Sequence, residues 1–286
     1  MGCGDVGLRV AGLLNPSSRV LALTSSVQRM AELQAKGITP LLGNLDEPQS
    51  LQRLAGVATH VVHMAPPPLQ GETDPRTQHL VQALARRTAP FSVVYGSTSG
   101  VYGDCEGAWI DEKRAVNPTT PRAQRRVDAE NWLQSWGRRG LPRVNVLRIP
   151  GIYALDREGG TPRERLARGT PVLQAADDVY TNHVHADDLA RATVLALWRG
   201  PKLQTLNVND DSDLRMADYM DLAASLWHMP KPPRISRLQA EKELPPMTLS
   251  FMSESRRMRN QRLKQSLRFK LRYPTVREGL LGQPVF

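Results

Sequence analysis

The chain has 286 residues, a formal charge of +10 at neutral pH and a mean hydropathy of −0.41. It contains no apolar run long enough to span a membrane and no signal peptide, so we expect no membrane association. Its two cysteines, Cys3 and Cys105, form neither a disulfide framework nor a metal-ligand spacing. We therefore expect no metal site and a cytoplasmic location.

The positive charge raises the question of a nucleic-acid partner. Arginine greatly outnumbers lysine among the 38 basic residues, which indicates a compositional bias rather than a binding face. The dense basic run at residues 256–272 is best interpreted as a solvated helix face whose apolar members dock on a smaller lobe. Nucleic acid is therefore the least favoured partner.

The first seven residues read Met-Gly-Cys-Gly-Asp-Val-Gly and precede a predicted helix at residues 8–14. Glycines in this spacing are typical of a turn that lets a pyrophosphate approach the backbone at a helix N-terminus. A strand should precede such a turn, but only Met1 does. We expect a truncated first strand whose true start lies upstream; the alternative is that the glycines are incidental. The candidate cofactor-binding residues here are Gly2, Gly4, Asp5, Val6 and Gly7.

Short apolar runs alternate with helical patterns along the next 90 residues. The strands are predicted at residues 20–23, 39–42, 60–64 and 91–95, and the intervening helices at residues 27–36, 51–54 and 77–87. This alternation indicates an α/β fold with a doubly wound parallel sheet. Ligands bind such sheets at the carboxyl ends of the strands, which directs attention to the loops after the strands.

The loop after the second strand of the fold favours one dinucleotide over another. It reads Thr24-Ser25-Ser26 with Arg29 close behind, and it lacks the acidic residue that usually holds the ribose hydroxyls of NAD. Hydroxyls and a guanidinium suit a 2′-phosphate, so NADP is the favoured cofactor and NAD the alternative. A helix cap at Ser25 or Ser26 with a solvated Arg29 explains the same residues structurally.

Two further loops fall in the expected order for a dinucleotide site. Asn44 and Leu45 follow the third strand, where an adenine ring would lie. Ala65 and Pro66 follow the fourth and would form a stiff wall near the nicotinamide. Both pairs are therefore candidate cofactor-binding residues.

The most specific motif lies at residues 93–104, where a strand ends in Ser-Thr-Ser and continues Gly-Val-Tyr-Gly. It resembles the fifth-strand motif of the extended short-chain dehydrogenases/reductases, which include nucleotide-sugar epimerases and dehydratases. The resemblance implies a Rossmann-type fold and a catalytic Thr98 that hydrogen-bonds the substrate oxygen. It also implies substrate contacts for Ser97 and Ser99.

Later segments extend the resemblance over nearly the whole chain. Residues 147–153 look like the Arg-Pro-Gly-Ile-Tyr segment that borders substrate in the family, which implies a substrate-binding Tyr153. In the run 183–189, we expect Asp187 or Asp188 to cap the following helix rather than bind a metal. The C-terminal segments resemble those of atypical nucleoside-diphosphate-sugar-epimerase-like proteins. The implied domains are a dinucleotide-binding domain at 1–150 and a region 151–286 that is mostly substrate lobe, with some segments returning to the sheet.

The chain departs from the family at its Tyr-x-x-x-Lys pair. Counting back from the acid Glu130 places Arg126 at the lysine position and Arg122 at the tyrosine position. Arginine keeps its proton at any accessible pH and cannot serve as the acid/base. Arg126 can still hydrogen-bond a ribose, while Tyr153 and Tyr180 are the alternative proton donors.

The resemblance to the family, together with the loss of its Tyr-x-x-x-Lys pair, leaves two possible functions. The first is an NAD(P)-dependent oxidoreductase or epimerase/dehydratase acting on a small molecule similar to a nucleotide sugar. The second is a catalytically silent NADP(H)-binding sensor or scaffold. The sequence leaves open whether the protein is an enzyme, and the resemblance allows a homodimer.

Overall fold

The structure is a computed structural model that describes residues 1–140, 142–245, 249–250 and 252–286. The helices in this part of the chain are α1 Asp5–Leu13, α2 Gln28–Ala35, α3 Pro75–Leu84, α4 Pro121–Arg138, α5 Arg163–Ala167, α6 Ala186–Trp198, α7 Met216–Leu226, α8 Arg237–Glu243, α9 Gln261–Leu267 and α10 Val276–Leu281. None of the described helices has the length and apolar character needed to cross a membrane.

The described strands are mostly short. They are β1 Leu21–Thr24, β2 Thr39–Leu42, β3 His60–His63, β4 Ser92–Thr98, β5 Trp109–Ile110, β6 Arg143–Ile149, β7 Gly151–Tyr153, β8 Val172–Leu173, β9 Tyr180–Thr181, β10 His183–His185, β11 Leu203–Asn207, β12 Leu214–Arg215, β13 Arg234–Ile235 and β14 Arg257–Met258. The 3₁₀ helices Pro48–Leu54 and Ser99–Tyr102 join some of them.

The main sheet has four parallel strands in the order β11-β6-β4-β3, and β1 and β2 form a separate parallel pair. Strands covered on both faces read as continuous apolar runs. In β4, Val93 and Tyr95 face a cluster that includes residues of α3 and α4, while Val94 faces one with residues of α6 and α9. The predicted α/β fold with helices on both faces of a parallel sheet is confirmed.

The cap of α6 differs from the prediction. His185 is the N-cap residue, and its Nδ1 accepts a hydrogen bond from the Asp187 amide at 3.2 Å. Asp188 is fully buried and accepts the backbone amides of Arg272 and Tyr273, both at 2.9 Å. The prediction of an aspartate cap was wrong because these carboxylates bind segments distant in sequence.

The basic run at residues 256–272 is not one helix. It contains β14 and α9. Its apolar members Leu263, Leu267 and Phe269 are buried against the sheet, in one cluster with Val94 and Leu147. The expectation that they dock on a smaller lobe was wrong, because α9 packs beside β11 and α6.

A smaller cluster of buried side chains lies beyond the main sheet. It joins Tyr153 at the end of β7 to α7 and α10, with Tyr219 and Met220 of α7 facing inward as their spacing predicts. Strand β7 pairs in parallel with β10 rather than with the main sheet. This lobe therefore has its own core.

A buried carboxylic acid lies at the edge of this cluster. Asp210 is 1 % exposed; its Oδ1 accepts the Ser212 amide at 3.0 Å, and its Oδ2 lies 3.4 Å from the Tyr153 hydroxyl. Burial raises the pKa of Asp210 to about 8, although the hydrogen bonds from Ser212 oppose that shift. The acid is therefore protonated in the folded protein at neutral pH.

This acid makes the stability of the protein depend on pH. The unfolded carboxyl titrates near its model value of 3.8, so between about pH 4 and pH 8 the folded form binds more protons and loses stability as the pH rises. We expect Asp210→Asn to remove this loss and to raise the Tm at pH 8.5 by about 5 °C relative to wild type. Calorimetric melting from pH 4 to 9 measures it, with the exposed Asp213→Asn as control. Parallel pH profiles for the wild type and Asp210→Asn would contradict this assignment.

Candidate functional site

The predicted cofactor loops meet at the carboxyl edge of the sheet. Gly2 has a positive φ of 71°, and a Cβ there would lie 2.3 Å from the Ala65 nitrogen. Only glycine therefore lets the first loop lie against the loop that follows β3. Gly7 packs almost as closely, because its Cβ would lie 3.1 Å from the Gly2 oxygen.

The N-terminus of α1 is open on the side of this loop. Gly4 is its N-cap residue and supplies no side-chain cap, and a Cβ at Gly4 would meet nothing within 4 Å. The Asp5 carboxylate pairs with Arg9 at 3.1 Å, which Asp5 shares with Asp156 and Asp187, and lies 3.5 Å from Arg157. Val6 packs behind the loop against the α6 side of the sheet. The first-turn amides therefore face a space that an anion can enter.

Arg29 connects the loop after β1 to the glycine-rich loop. Its Nη2 donates to the Cys3 carbonyl at 2.8 Å, and its Nε lies 3.4 Å from Glu32. Thr24 closes a local turn by accepting the Ser26 amide at 3.2 Å. The Ser25 side chain is exposed beside it. Arg29 is thus held in place and is not a freely solvated side chain.

Asn44 and Leu45 follow β2 in a compact turn. The Asn44 Oδ1 accepts the Asp46 amide at 3.0 Å, and the Leu45 carbonyl lies 2.9 Å from a ring nitrogen of His79. Ser25 and Asn44 line one groove of about 770 Å³ between the two loops. The structure therefore brings these two predicted cofactor residues together.

Arg76 is a site residue that the sequence analysis missed. Its guanidinium pairs with Asp46 at 2.6 Å and donates to the carbonyl of Pro66 at 3.1 Å. It therefore ties the loop after β2 to the loop after β3. No local pattern marks such a residue, because its partners lie 30 and 10 positions away along the chain.

Arg126, at the lysine position, lies at the centre of the site. It is 8 % exposed, and its Nη1 donates to Gly96 O at 2.7 Å, to the Tyr95 hydroxyl at 3.1 Å and to Ala65 O at 3.4 Å. Its Nε is buried without a hydrogen-bond partner. The guanidinium thus bridges the ends of β3 and β4 and retains unused donor capacity.

Two more arginines of α4 surround it. Arg125 donates to the Gly71 carbonyl. Burial lowers the pKa of Arg122, and the charges of Arg126 and Arg125 lower it further. In the part of the chain that the structure describes, none of the three forms an ion pair within 4.0 Å. The three arginines therefore concentrate positive charge on α4, and the buried Asp74 carboxylate is near enough to Arg126 for that charge to oppose the rise that burial causes in the Asp74 pKa.

The three hydroxyl residues at the end of β4 have different environments. Ser97 donates to Glu130 at 2.5 Å, and Ser99 accepts from Arg256 at 3.4 Å. The Thr98 hydroxyl accepts the Gly100 amide at 3.3 Å and is partly exposed. Only Ser97 uses its hydroxyl proton in these contacts, and Thr98 is more exposed than the buried Ser99, so Thr98 is the better placed of the two to donate to a ligand.

The alternative tyrosines lie elsewhere. Tyr153 is 2 % exposed in the core of the smaller lobe, and its hydroxyl donates to the Thr275 carbonyl at 3.2 Å. Tyr180 is covered by the guanidinium of Arg257, 4.5 Å from its ring centre. Among the described residues, neither hydroxyl forms a hydrogen bond with Thr98, Arg122, Arg125 or Arg126.

Arg256 is a second residue that the sequence analysis missed. It donates to Ser99, 157 residues away, and no spacing in the sequence could reveal that contact.

A comparison with protein families identifies the chain. The model of the NAD dependent epimerase/dehydratase family matches residues 6–208. The chain belongs to this family. The matched residues include Thr98 and the arginines of α4.

Solved structures show the same fold. A functionally unknown conserved protein from Silicibacter pomeroyi DSS is 31 % identical, with a TM-score of 0.82 over 98 % of this chain and 95 % of that one. MoeE5, in complex with UDP-glucose and NAD, is 22 % identical, with a TM-score of 0.77 over 99 % and 95 %. UDP-glucose 4-epimerase from Thermotoga maritima is 17 % identical, with a TM-score of 0.78 over 98 % and 94 %. No curated protein matches the chain.

Proposed function

We propose that the protein binds a nicotinamide dinucleotide and acts as an oxidoreductase or epimerase/dehydratase on a substrate similar to a nucleotide sugar. One observation carries this proposal. An unbroken series of contacts runs from Arg29 through Cys3 and Gly2 to Ala65, and from Ala65 through Arg126 to Gly96. These residues form one continuous edge that matches an elongated ligand.

The residues present fit such a cofactor. The open first turn of α1 at Gly4 would hold the pyrophosphate, and the unpaired Nε of Arg126 indicates unused donor capacity near the ribose. Arg29 would contact a 2′-phosphate next to the exposed Ser25, which favours NADP over NAD. Asn44 and Leu45 would lie against the adenine, and Ala65 and Pro66 against the nicotinamide.

The arginines of α4 favour an anionic substrate. Arg122, Arg125 and Arg126 concentrate positive charge on the helix that packs against β4, and such a field attracts phosphate groups. MoeE5, a protein of the same fold, is seen with UDP-glucose. A nucleoside-diphosphate sugar carries both the diphosphate that suits the arginines and the hydroxyls that suit Thr98.

The proposed chemistry is hydride exchange without a tyrosine. The nicotinamide, when bound, donates or accepts the hydride. Thr98 would hydrogen-bond the substrate oxygen, and Arg122 would stabilise negative charge that develops there. Since arginine does not exchange its proton near neutral pH, water would carry the proton, and we expect slow turnover.

The loss of the family's tyrosine and lysine also supports a second function. Glu130, the acid that follows Arg126 on α4, forms an ion pair with Arg148 at 2.8 Å and accepts a hydrogen bond from Ser97. Thr98 and the arginines then form a binding surface with no proton-transfer group of its own. A catalytically silent NADP(H)-binding sensor or scaffold is therefore the alternative to an enzyme.

Cofactor binding is tested with a matched pair of glycines in and before α1. Gly4 and Gly12 both have open space where a Cβ would be placed. We expect Gly4→Asp to weaken NADPH binding by at least about tenfold, because a carboxylate would meet the pyrophosphate, and Gly12→Asp to leave it nearly unchanged. Fluorescence titration of NADPH and NADH measures both. Equal affinities in the two variants would remove the basis of the proposal.

The NADP preference is tested at Arg29. Arg29→Ala should weaken NADPH binding by about tenfold and change NADH binding little, because it removes one charge-assisted contact to the 2′-phosphate. Arg19→Ala, which removes an exposed arginine before β1, is the charge-matched control. If Arg29→Ala weakens both dinucleotides equally, Arg29 serves only to hold the Cys3 carbonyl.

The enzyme and sensor hypotheses are separated by restoring the family pair. We expect Arg122→Tyr combined with Arg126→Lys to raise NADPH-linked turnover by about 10²-fold, because a phenol supplies general acid/base catalysis. The assay follows nicotinamide absorbance with UDP-sugars as substrates. Arg122→Phe with Arg126→Lys is the matched control without a hydroxyl. A wild-type protein that binds NADPH but turns over no substrate, even at long times, would favour the sensor.

A further inference from the structure

The segment that precedes β14 is fixed to the loop that follows Tyr102. Its middle residue is Ser255, whose amide donates to the Asp104 carboxylate at 2.7 Å. The Ser255 carbonyl accepts the amides of Cys105 and Gly107, both at 3.0 Å. The backbone of the segment is thus held from both sides, so the side chains next to Ser255 start from a defined position.

Glu254 and Arg256 flank this fixed residue and form an ion pair at 2.6 Å. Both side chains are largely buried, with 13 % and 12 % of their surface exposed. Arg257, the next residue, turns elsewhere, and its guanidinium lies 4.5 Å from the ring centre of Tyr180. The pair therefore differs from a mobile ion pair at the surface, which contributes little.

Arg256 connects this ion pair to the hydroxyl groups at the end of β4. Its Nη1 donates to the Glu254 carboxylate at 2.6 Å, and its Nη2 donates to the Ser99 hydroxyl at 3.4 Å. The carboxylate thus lies one guanidinium away from Ser99, and Thr98 is the preceding residue. The other oxygen of the carboxylate accepts the Thr119 hydroxyl at 3.0 Å, just before α4 begins.

This strip of polar side chains has donors at one end and an acceptor at the other. A carboxylate offers about four acceptor positions, and contacts within the described residues fill two of those of Glu254. The Ser99 hydroxyl accepts from Arg256 and the Thr98 hydroxyl accepts the Gly100 amide, so both keep a proton to donate. A ligand with several hydroxyl groups can pair with both ends, because a hydroxyl donates and accepts.

The charge of the strip differs from that of α4. Arg122, Arg125 and Arg126 give α4 a positive field that suits phosphate groups. Glu254 adds a negative charge, and its ion-pair partner among the described residues is Arg256. A ligand with phosphates at one end and neutral hydroxyl groups at the other matches this pattern. A carboxylate at the second end would meet the like charge of Glu254.

We propose that Glu254 is a specificity-determining residue, which accepts a hydrogen bond from a hydroxyl group of the substrate's sugar and excludes a sugar that carries a carboxylate. Arg256 and Thr119 are positioning residues that hold the Glu254 carboxylate. The inference rests on the proposed function and narrows its substrate class to neutral nucleotide sugars.

The test compares UDP-glucose with UDP-glucuronic acid, which carries a carboxylate where UDP-glucose has a hydroxymethyl group. Titration calorimetry on the full chain measures both affinities. We expect the wild type to bind UDP-glucose at least about tenfold more tightly. Glu254→Gln should lower this ratio by at least about tenfold, because the amide removes the repulsion and leaves Arg256 free to pair with the ligand carboxylate. Glu241→Gln, which changes an exposed acid of α8, is the matched control and should keep the wild-type ratio.

Thr119→Val is a second variant, which keeps the ion pair and removes one hydrogen bond from Glu254. It should lower the same ratio by about threefold, and it decides the question if Glu254→Gln does not fold. A wild type that prefers UDP-glucuronic acid, or an unchanged ratio in the variant that decides, would overturn this inference and leave the proposed function intact. If the wild type binds neither compound, the proposed substrate class is wrong, and this inference with it.

Discussion

The buried ion pair between Glu130 and Arg148 is the constraint on which the site depends. Arg148 donates two hydrogen bonds to the carboxylate, at 2.8 and 3.2 Å, and Ser97 donates a third. Taking two charges out of water is costly, and such a pair is tolerated where hydrogen bonds satisfy it. It fixes α4 against β4 and β6 at once. Thr98 follows Ser97 directly and Arg126 lies one helical turn before Glu130, so both take their positions from this pair.

The parts of this structure that could be predicted are those that local patterns determine. The apolar runs of β2 and β4 and the glycines at positions 2 and 7 follow from spacing within a few residues, and these define the fold and one edge of the site. Arg76 and Arg256 could not be predicted, because their partners come together only when the chain folds. The prediction of an aspartate cap for α6 was wrong for the same reason, because Asp188 accepts hydrogen bonds from amides more than 80 residues away.

The exchange of lysine for arginine changes more than proton chemistry. A lysine ammonium is a flexible point charge, whereas the planar guanidinium of Arg126 spans from Gly96 to Ala65 and stacks 5.6 Å from the ring centre of Tyr95. The guanidinium therefore fixes the end of β4 to the loop after β3 through several contacts at once. In the proposed function, this residue would contribute to binding, and the absence of a phenol would limit proton transfer.

The contact between Gly2 and Ala65 also limits how the cleft can open. No side chain separates the two backbones, so the glycine-rich loop and the loop after β3 move as one body with the sheet. Arg76 adds the loop after β2 to the same body through its contacts with Asp46 and Pro66. On the C-terminal side, Arg256 donates to the Ser99 hydroxyl at 3.4 Å and to the Gly103 carbonyl at 2.8 Å. The segment before β14 is therefore also hydrogen-bonded to the residues that follow β4.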